Sequence, residues 1–279
     1  MRTWTSFSPN WSWPRSIGIA LALLLLWLVL ATAAQFVPCH DWEQFFQPAT
    51  AHLGWPYQVT GPGKLGVANP PWAFLFLWPL AQLPTPFDKA TLLLLSGLLV
   101  VKASGGPVRG MAVLLSLPGI WLLHFGQLDA LTLLAFIAPT WLAPILISVK
   151  PPGAWLAGLK HGFGLGWLLL LAVVVVSMVA WPGWYWQTGT IYWPLSVSWF
   201  PHTIPLGLWL GWAGWRANRI DLLCWASLCL SPYFQAYGLV PAMALSTRHM
   251  EKPRQWIIVS LGATAFVVVT LLARARGMM

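Results

Sequence analysis

Long uninterrupted apolar runs limit what this chain can fold into. They extend over residues 16–36, 162–180 and 256–273, and each has roughly the 17 to 25 residues that an α-helix needs to cross a lipid bilayer. The runs are rich in leucine and lack the apolar–polar alternation of barrel strands. Because backbone polar groups in lipid must be satisfied within the segment, helices are the predicted spanning elements.

The composition points to the same class of protein. Of the 279 residues, 58% are hydrophobic and 8% are charged, whereas about a quarter of the residues in a soluble domain are charged. We therefore predict an all-α, polytopic transmembrane helical bundle of about eight to ten membrane helices. It forms a single domain over residues 1–279. The net charge of +9 comes from short basic clusters between apolar runs, a pattern that indicates membrane topology and not nucleic-acid binding.

The basic clusters orient the predicted bundle. The first membrane helix is expected at 16–36, an outer loop with interfacial or re-entrant helices at 37–85, and the remaining helices at 86–279. The N-terminus is placed in the cytoplasm and the protein in the cell inner (plasma) membrane, since the positive-inside rule then holds for most cations. Arg274 and Arg276 break the rule. The later crossings are predicted at 86–102, 110–124, 127–138, 139–149, 162–180, 203–214, 220–231, 236–246 and 256–273.

The first outer loop opens with FVPCHDWEQFF, residues 36–46. Trp42, Phe45 and Phe46 recur at helical spacing, so a short helix anchored in the membrane interface is expected, bent or interrupted at Pro48. Asp41 stands at the N-cap position, with a glutamine three residues later, as in a capping box. Its carboxylate is thus a cap, a catalytic base or both. The segment 69–84 is about 13 residues between prolines, roughly 20 Å of helix, which is too short to span.

Ionisable and amide side chains converge on the outer face in this topology. Burial of such groups at membrane depth is costly, so they are functional candidates. The candidates are Asp41, Glu43, Lys64, Gln127, Asp129, Lys150 and His202. A carboxylate beside lysines suits a substrate with a hydroxyl and a phosphate, because the base takes the hydroxyl proton and lysine holds the phosphate charge.

Each candidate also has a structural alternative. Glu43 fits the solvated face of the interfacial helix. Lys64 could be an ordinary loop cation. The Lys150 side chain could simply extend to the membrane interface. Gln127 and Asp129 follow a glycine at a helix start, where they would cap, and His202 would bond a backbone carbonyl. The tryptophans and tyrosines of residues 181–200 are dense enough to stack on sugar faces or lipid.

Five sequence blocks occur in the order found in a known group of enzymes. They are HDWEQFFQPATAHLGWPYQV, NPPWAFLFLWPLAQLP, HFGQLDALTLL, ILISVKPP and SPYFQAYGLVPAMAL. Over residues 17–245 their order and spacing resemble the bacterial mannosyltransferase-like enzymes of glycosyltransferase family 87, in the GT-C superfamily. The chain is shorter than typical members. Only APTWLAP, residues 138–144, stands where the family has a basic cytoplasmic loop.

The resemblance implies a membrane hexosyltransferase. Such an enzyme moves mannose or another hexose from a polyprenyl-phosphate carrier to a lipid, glycan or protein acceptor on the outer face. The family's base falls on Asp41, its Gly-Gln on Gly126 and Gln127, and its Lys-Pro on Lys150 and Pro151. The expected partners are membrane lipids and the lipid-linked sugar donor. No metal and no cofactor is expected.

Other functional classes stay open. A shortened relative that has lost activity would be a non-catalytic membrane subunit, packed against partners in a larger complex. A small transporter is the third class, although the sequence has no clear internal repeat and no clear set of charges near the membrane midplane.

Overall fold

The computed structural model describes residues 13–58, 69–161, 164–187 and 195–277. Within these ranges the fold is all-helical and has no β-strand. The α-helices are α1 (Trp13–Ala33), α2 (Gln47–Ala51), α3 (Pro71–Ala81), α4 (Phe87–Ala103), α5 (Pro107–Leu114), α6 (Leu117–Phe125), α7 (Ala143–Ser148), α8 (Trp155–His161), α9 (Leu165–Ala180), α10 (Trp184–Gln187), α11 (Ile204–Ala217), α12 (Ile220–Cys229), α13 (Leu239–Thr247) and α14 (Pro253–Ala275). A π-helical turn covers Trp42–Phe46, and 3₁₀ turns cover Pro56–Gln58, Asp129–Phe136, Pro151–Gly153 and Ala236–Gly238.

Helix length separates the apolar segments. Two described helices are long and apolar enough to cross a membrane, at Ser16–Ala33 and Pro253–Ala275, and α5 with α6 makes a third if the pair, bent by 78°, counts as one. The predicted crossings at 127–138 and 139–149 are not helices of spanning length. The 3₁₀ helix Asp129–Phe136 extends roughly 16 Å, and α7 roughly 9 Å. Both fall short of the roughly 30 Å hydrocarbon core.

The core centres on α13, whose residues Leu239–Thr247 are all buried. It is surrounded by α4, α5, α12, α14 and the 3₁₀ helix Asp129–Phe136. A second core lies under the first outer loop and includes Trp42, Phe46 and Phe74. By contrast, α1 is exposed along most of its length. It meets α4 through Trp27, whose indole nitrogen donates to the Thr91 hydroxyl at 2.9 Å.

The helix of the first outer loop packs into the core, whereas the sequence predicted a helix at the membrane interface. Trp42 and Phe46 are buried in the second core, and the Trp42 indole donates to Asp88 Oδ2 at 2.8 Å. The helix begins as a π turn and becomes α-helical at Gln47. Pro48 lies in the first turn of α2, where a missing N–H is tolerated, so it does not interrupt the helix. Apolar spacing of 3.6 residues is the same for a helix on an interface and one in a core, so the sequence pattern did not separate them. The proline-bounded segment forms α3, which is short as predicted at roughly 16 Å.

The charged residues divide between two ends of the fold. The helix α4 carries Asp88 near its start and Lys102 near its end. The helix α13 is preceded by Gly238, which lies against Asp129, and is followed by Arg248. We call the first the carboxylate end; it holds Asp41, Glu43, Asp88 and Asp129. The second, the basic end, holds Lys102, Arg109, Lys160, Arg216, Arg219, Arg248, Lys252 and Arg254, with the acids Asp221 and Glu251.

The helix α14 explains one cation that breaks the positive-inside pattern. It begins after Lys252 at the basic end and carries Arg274 in its last turn. There the Arg274 guanidinium donates to the Ser198 carbonyl at 3.0 Å. Arg274 thus stabilises a loop contact at the carboxylate end.

Candidate active site

Asp41, Gln127 and Lys150 meet at the carboxylate end. The Gln127 Nε2 donates to Asp41 Oδ2 across a sequence separation of 86 residues, and Lys150 Nζ donates to Gln127 Oε1 at 3.3 Å. Gln127 is 2% exposed, whereas Asp41 and Lys150 are half-buried. A buried amide therefore joins the side chains of two half-buried residues, one a carboxylate and the other an ammonium group.

A glycine allows the outer loop to approach Gln127. Gly126 ends α6 with φ +64°, a left-handed conformation that favours glycine. A Cβ on Gly126 would lie 2.9 Å from Trp42 Cβ and 3.2 Å from Cys39 Cβ. Because real Cβ atoms do not come this close to carbon, the loop can pack on α6 only where residue 126 lacks a side chain. The contact places Asp41 beside Gln127.

The proline-pair block holds the segment that carries Lys150. Asn69 Nδ2 donates to the Val149 carbonyl at 2.9 Å, and the Trp72 indole donates to Ser148 Oγ at 2.9 Å. Asn69 is 4% exposed, so its amide bond lies away from competing water. Lys150, with φ −146° and ψ 77°, then precedes the Pro151–Gly153 turn.

Lys150 also contacts a loop that the sequence analysis did not assign to the site. Its Nζ lies 5.7 Å from the centre of the Tyr237 ring, within range of a cation–π interaction. The Tyr237 hydroxyl donates to Gln235 Oε1, and Gln235 Nε2 donates to the Tyr233 hydroxyl. These residues belong to the block SPYFQAYG, which the sequence analysis quoted for the resemblance without assigning a site residue to it.

Asp129 lies behind this group. It is 3% exposed, and its Oδ2 has no hydrogen-bond partner among the described residues. A Cβ on Gly238 would lie 3.5 Å from its Oδ1. Lys150 is a cation that interacts electrostatically with it. Asp129 thus adds a second carboxylate to the surroundings of Lys150 and Asp41, although it is not open to the surface.

The surroundings change the acidity of Asp41. Burial raises the pKa of its carboxyl to about 6, and the charge of Asp129 also raises it. The Lys150 charge, the Gln127 hydrogen bond and His40 oppose that rise. A carboxylate whose pKa lies close to neutrality accepts a proton more readily than an ordinary aspartate and is still ionised at pH 7, which suits a general base.

The capping alternatives are wrong for Asp41 and Gln127. The Asp41 side chain makes no capping hydrogen bond to the π turn that follows. Gln127 bridges Asp41 and Lys150 and does not cap the 3₁₀ helix. The residue is 2% exposed, and the two ends of its amide are taken by Asp41 and Lys150.

The remaining candidates do not join the cluster. Glu43 forms an ion pair with Lys89, whose Nζ also donates to the Ala34 carbonyl at 3.4 Å. His202 is exposed in the turn before α11, and none of the cluster contacts given above involves it. Lys64 lies outside the described residues. So do Tyr192, Trp193 and the Trp186 side chain of the aromatic segment.

Two described tryptophans of the segment 181–200 pack against other parts of the fold. The Trp181 indole donates to the Leu53 carbonyl at 2.6 Å. Trp184 meets the edge of Trp72 with ring centres 5.3 Å apart. Both therefore pack against the first outer loop, next to the block that holds Lys150.

Comparison of the chain with models of known families, with curated proteins and with solved structures finds no match. Among the described residues, no three His, Cys, Asp or Glu side chains are grouped so as to hold a metal ion. A functional assignment therefore depends on the chemistry of Asp41, Lys150 and their neighbours.

Proposed function

We propose that the protein is a polytopic inner-membrane glycosyltransferase that moves a hexose from a polyprenyl-phosphate carrier to an acceptor hydroxyl on the outer face. One observation carries the proposal: the buried Gln127 amide bridges Asp41 to Lys150, so a half-buried carboxylate and a half-buried cation are held close together. A hydroxyl acceptor and a phosphate leaving group need these two charges side by side.

The proposed reaction uses each group once. Asp41 accepts the proton of the acceptor hydroxyl as its oxygen attacks the anomeric carbon. The bond from that carbon to the phosphate oxygen breaks, and its electron pair leaves on polyprenyl phosphate, with inversion at the carbon. Lys150 stabilises the charge that develops on the phosphate. General-base catalysis of this kind contributes roughly 10² to 10⁴ in rate.

The arrangement of the resembling blocks supports the proposal. Asp41 stands in the first block, Asn69 in the second, Gln127 in the third, Lys150 in the fourth and Tyr237 in the fifth. Each contacts another member of the set, directly or through Val149. Segments far apart in the sequence are thus linked by contacts into one group that includes a half-buried carboxylate, as a site built for chemistry requires.

The separation of charge supports the proposed orientation. The basic end carries mostly cations, and the positive-inside rule places such an end in the cytoplasm. The carboxylate end, and with it Asp41, then faces outward. A lipid-linked donor presents its sugar at that surface.

Transfer from labelled polyprenyl-phosphate-mannose by the purified protein tests the proposal. We expect wild type to produce labelled product and Asp41→Asn to lose roughly 10² to 10⁴ in rate. Glu251→Gln makes the same chemical change in an exposed residue of the basic end, and we expect it to keep wild-type activity. Equal rates for wild type and Asp41→Asn would remove Asp41 as the base. A wild type that neither binds nor turns over the donor would overturn the transferase proposal.

The second candidate, a non-catalytic membrane subunit, is favoured by the exposure of α1. Leu21 is 55% exposed, Leu25 63% and Val29 63%, so this helix offers an apolar surface to lipid or to a partner helix. A subunit would co-purify in a fixed ratio with a partner, would not bind the donor, and would be unaffected by Asp41→Asn. The transferase proposal instead predicts that the purified protein binds the donor.

A further inference from the structure

Two cations stack on exposed tryptophans at the end of α11. Lys160 Nζ lies 4.6 Å from the centre of the Trp215 ring, and the Arg216 guanidinium carbon lies 5.1 Å from the centre of the Trp212 ring. Trp212 is 58% exposed and Trp215 47%. We call these residues, Lys160, Trp212, Trp215 and Arg216, the tryptophan–cation edge.

The charge of this edge is not balanced by a described carboxylate. The neighbouring acid, Asp221, accepts from Arg219 Nε at 2.8 Å and from its Nη2 at 2.6 Å, so both carboxylate oxygens are already bound by the same guanidinium. Among the described ion pairs, none includes Lys160 or Arg216. The edge therefore offers positive charge to a ligand from outside the chain.

The surface of α11 changes along its length in the way that a membrane boundary requires. Leu206, Leu208 and Trp209 are 50%, 62% and 59% exposed and form an apolar surface before the edge. Trp212 and Trp215 follow, and Arg216 stands last, before Asn218 ends the helix. Tryptophan concentrates at the headgroup level of a bilayer, and cations there meet the phosphates of the lipid.

We propose that the tryptophan–cation edge binds the phosphate headgroup of an anionic phospholipid in the cytoplasmic leaflet. Lys160 and Arg216 contact the phosphate from two helices, α8 and α11, and Trp212 and Trp215 hold the glycerol level of the lipid. The bound headgroup thereby links α8 to α11. This inference rests on the membrane orientation in the proposed function, and it is independent of the transferase reaction.

Native mass spectrometry of the purified protein tests the site. Phosphatidylglycerol and phosphatidylcholine with identical acyl chains are titrated separately, so that the headgroup is the difference. We expect wild type to bind phosphatidylglycerol at least about fivefold more tightly than phosphatidylcholine, and we expect Lys160→Gln combined with Arg216→Gln to lose that preference. The control is Arg276→Gln, which removes one exposed cation at the far end of α14. This variant should keep the preference for phosphatidylglycerol.

Further arms separate the sources of phosphate and the effects on folding. Addition of glycerol 3-phosphate, which has no acyl chains, should not displace the lipid; displacement at millimolar concentration would assign the edge to a free anion and overturn the proposal. Trp212→Phe keeps the charge and should weaken phosphatidylglycerol binding with an unchanged melting temperature. Equal binding of both lipids by wild type, or an unchanged preference in the double variant, also overturns it. Neither result bears on mannose transfer.

Discussion

The Gln127 amide donates a hydrogen bond to the Asp41 carboxylate, although 86 residues separate them in the sequence. The same amide accepts from Lys150 on its other side. An amide has a donor end and an acceptor end, so this orientation is the one that serves both a carboxylate and an ammonium group. Gln127 therefore fixes the geometry between the proposed base and the proposed phosphate-binding cation.

Transferase activity should fall on the acid side as Asp41 is protonated. Because burial raises its pKa to about 6, kcat/KM for mannose transfer should decline about tenfold per pH unit below that value. The measurement is a pH profile from 4.5 to 8.5 with the labelled donor. A profile that stays flat down to pH 4.5 would contradict Asp41 as the base.

The variant Gln127→Leu should shift this acid limb to higher pH. The Gln127 hydrogen bond lowers the pKa of Asp41, so its loss raises that pKa further. It also frees Asp41 and Lys150 from their shared partner, and we expect kcat to drop roughly 10-fold to 100-fold with a smaller change in KM. Gln127→Glu, which keeps only the acceptor, should not restore the wild-type limb. A purely structural role would lower the melting temperature and leave the limb in place.

Asp41→Asn should alter the pH dependence of stability. The folded-state pKa of Asp41 is raised to about 6 from an ordinary value of 3.8, so the folded protein binds the proton more tightly than the unfolded chain. Its contribution to stability is therefore fully present below pH 4 and is lost as the pH rises through 6. Wild type should lose stability over that window relative to Asp41→Asn. Melting temperatures in detergent at pH 4.5 to 8 measure the difference; parallel curves would be the contrary result.

Gly126→Ala should destabilise the protein and disturb the site. A left-handed backbone costs about 1–2 kcal/mol for a residue with a side chain, and the new methyl group would also meet Trp42. The control is Gly262→Ala in α14, where a Cβ has no atom within 4 Å; alanine should stabilise that helix by up to about 1 kcal/mol. The free energy of unfolding of both variants checks the prediction, and a neutral Gly126→Ala would contradict the close packing of the outer loop.

Trp42→Phe should destabilise the protein by about 1–3 kcal/mol, since Asp88 would lose its buried indole donor. Trp78→Phe is the matched control, because Trp78 is 46% exposed and should change stability by less than about 0.5 kcal/mol. Thermal unfolding followed by circular dichroism measures both. If the two variants melt together, the Trp42–Asp88 hydrogen bond does not hold the outer loop.

The sequence predicted some features of the site because they are local. A carboxylate directly after an apolar run, at Asp41, and a lysine before two prolines, at Lys150, both stand out without knowledge of the fold. The bridging role of Gln127 could not be read in the same way, because its partners come from other segments. Tyr237 was missed since a tyrosine in an apolar stretch is ordinary for a membrane interface.

Helix lengths were harder to predict than helix type. Composition indicated helices throughout, and every regular element among the described residues is helical. The boundaries depended on prolines and on packing: α7 begins with Ala143 and Pro144 and ends after six residues, although the predicted crossing covered 139–149. Hydropathy measures the apolar length of a segment and not the length over which its backbone stays helical.

The burial of α13 affects the order in which the protein is built. Its residues contact α4, α5, α12 and α14, and α14 is the last of these to leave the ribosome. Asp41, Gln127 and Lys150 are all synthesised earlier than Tyr237, which stands at the entrance of α13. A nascent chain therefore holds its carboxylate and its cation before Tyr237, whose ring Lys150 approaches, has been synthesised.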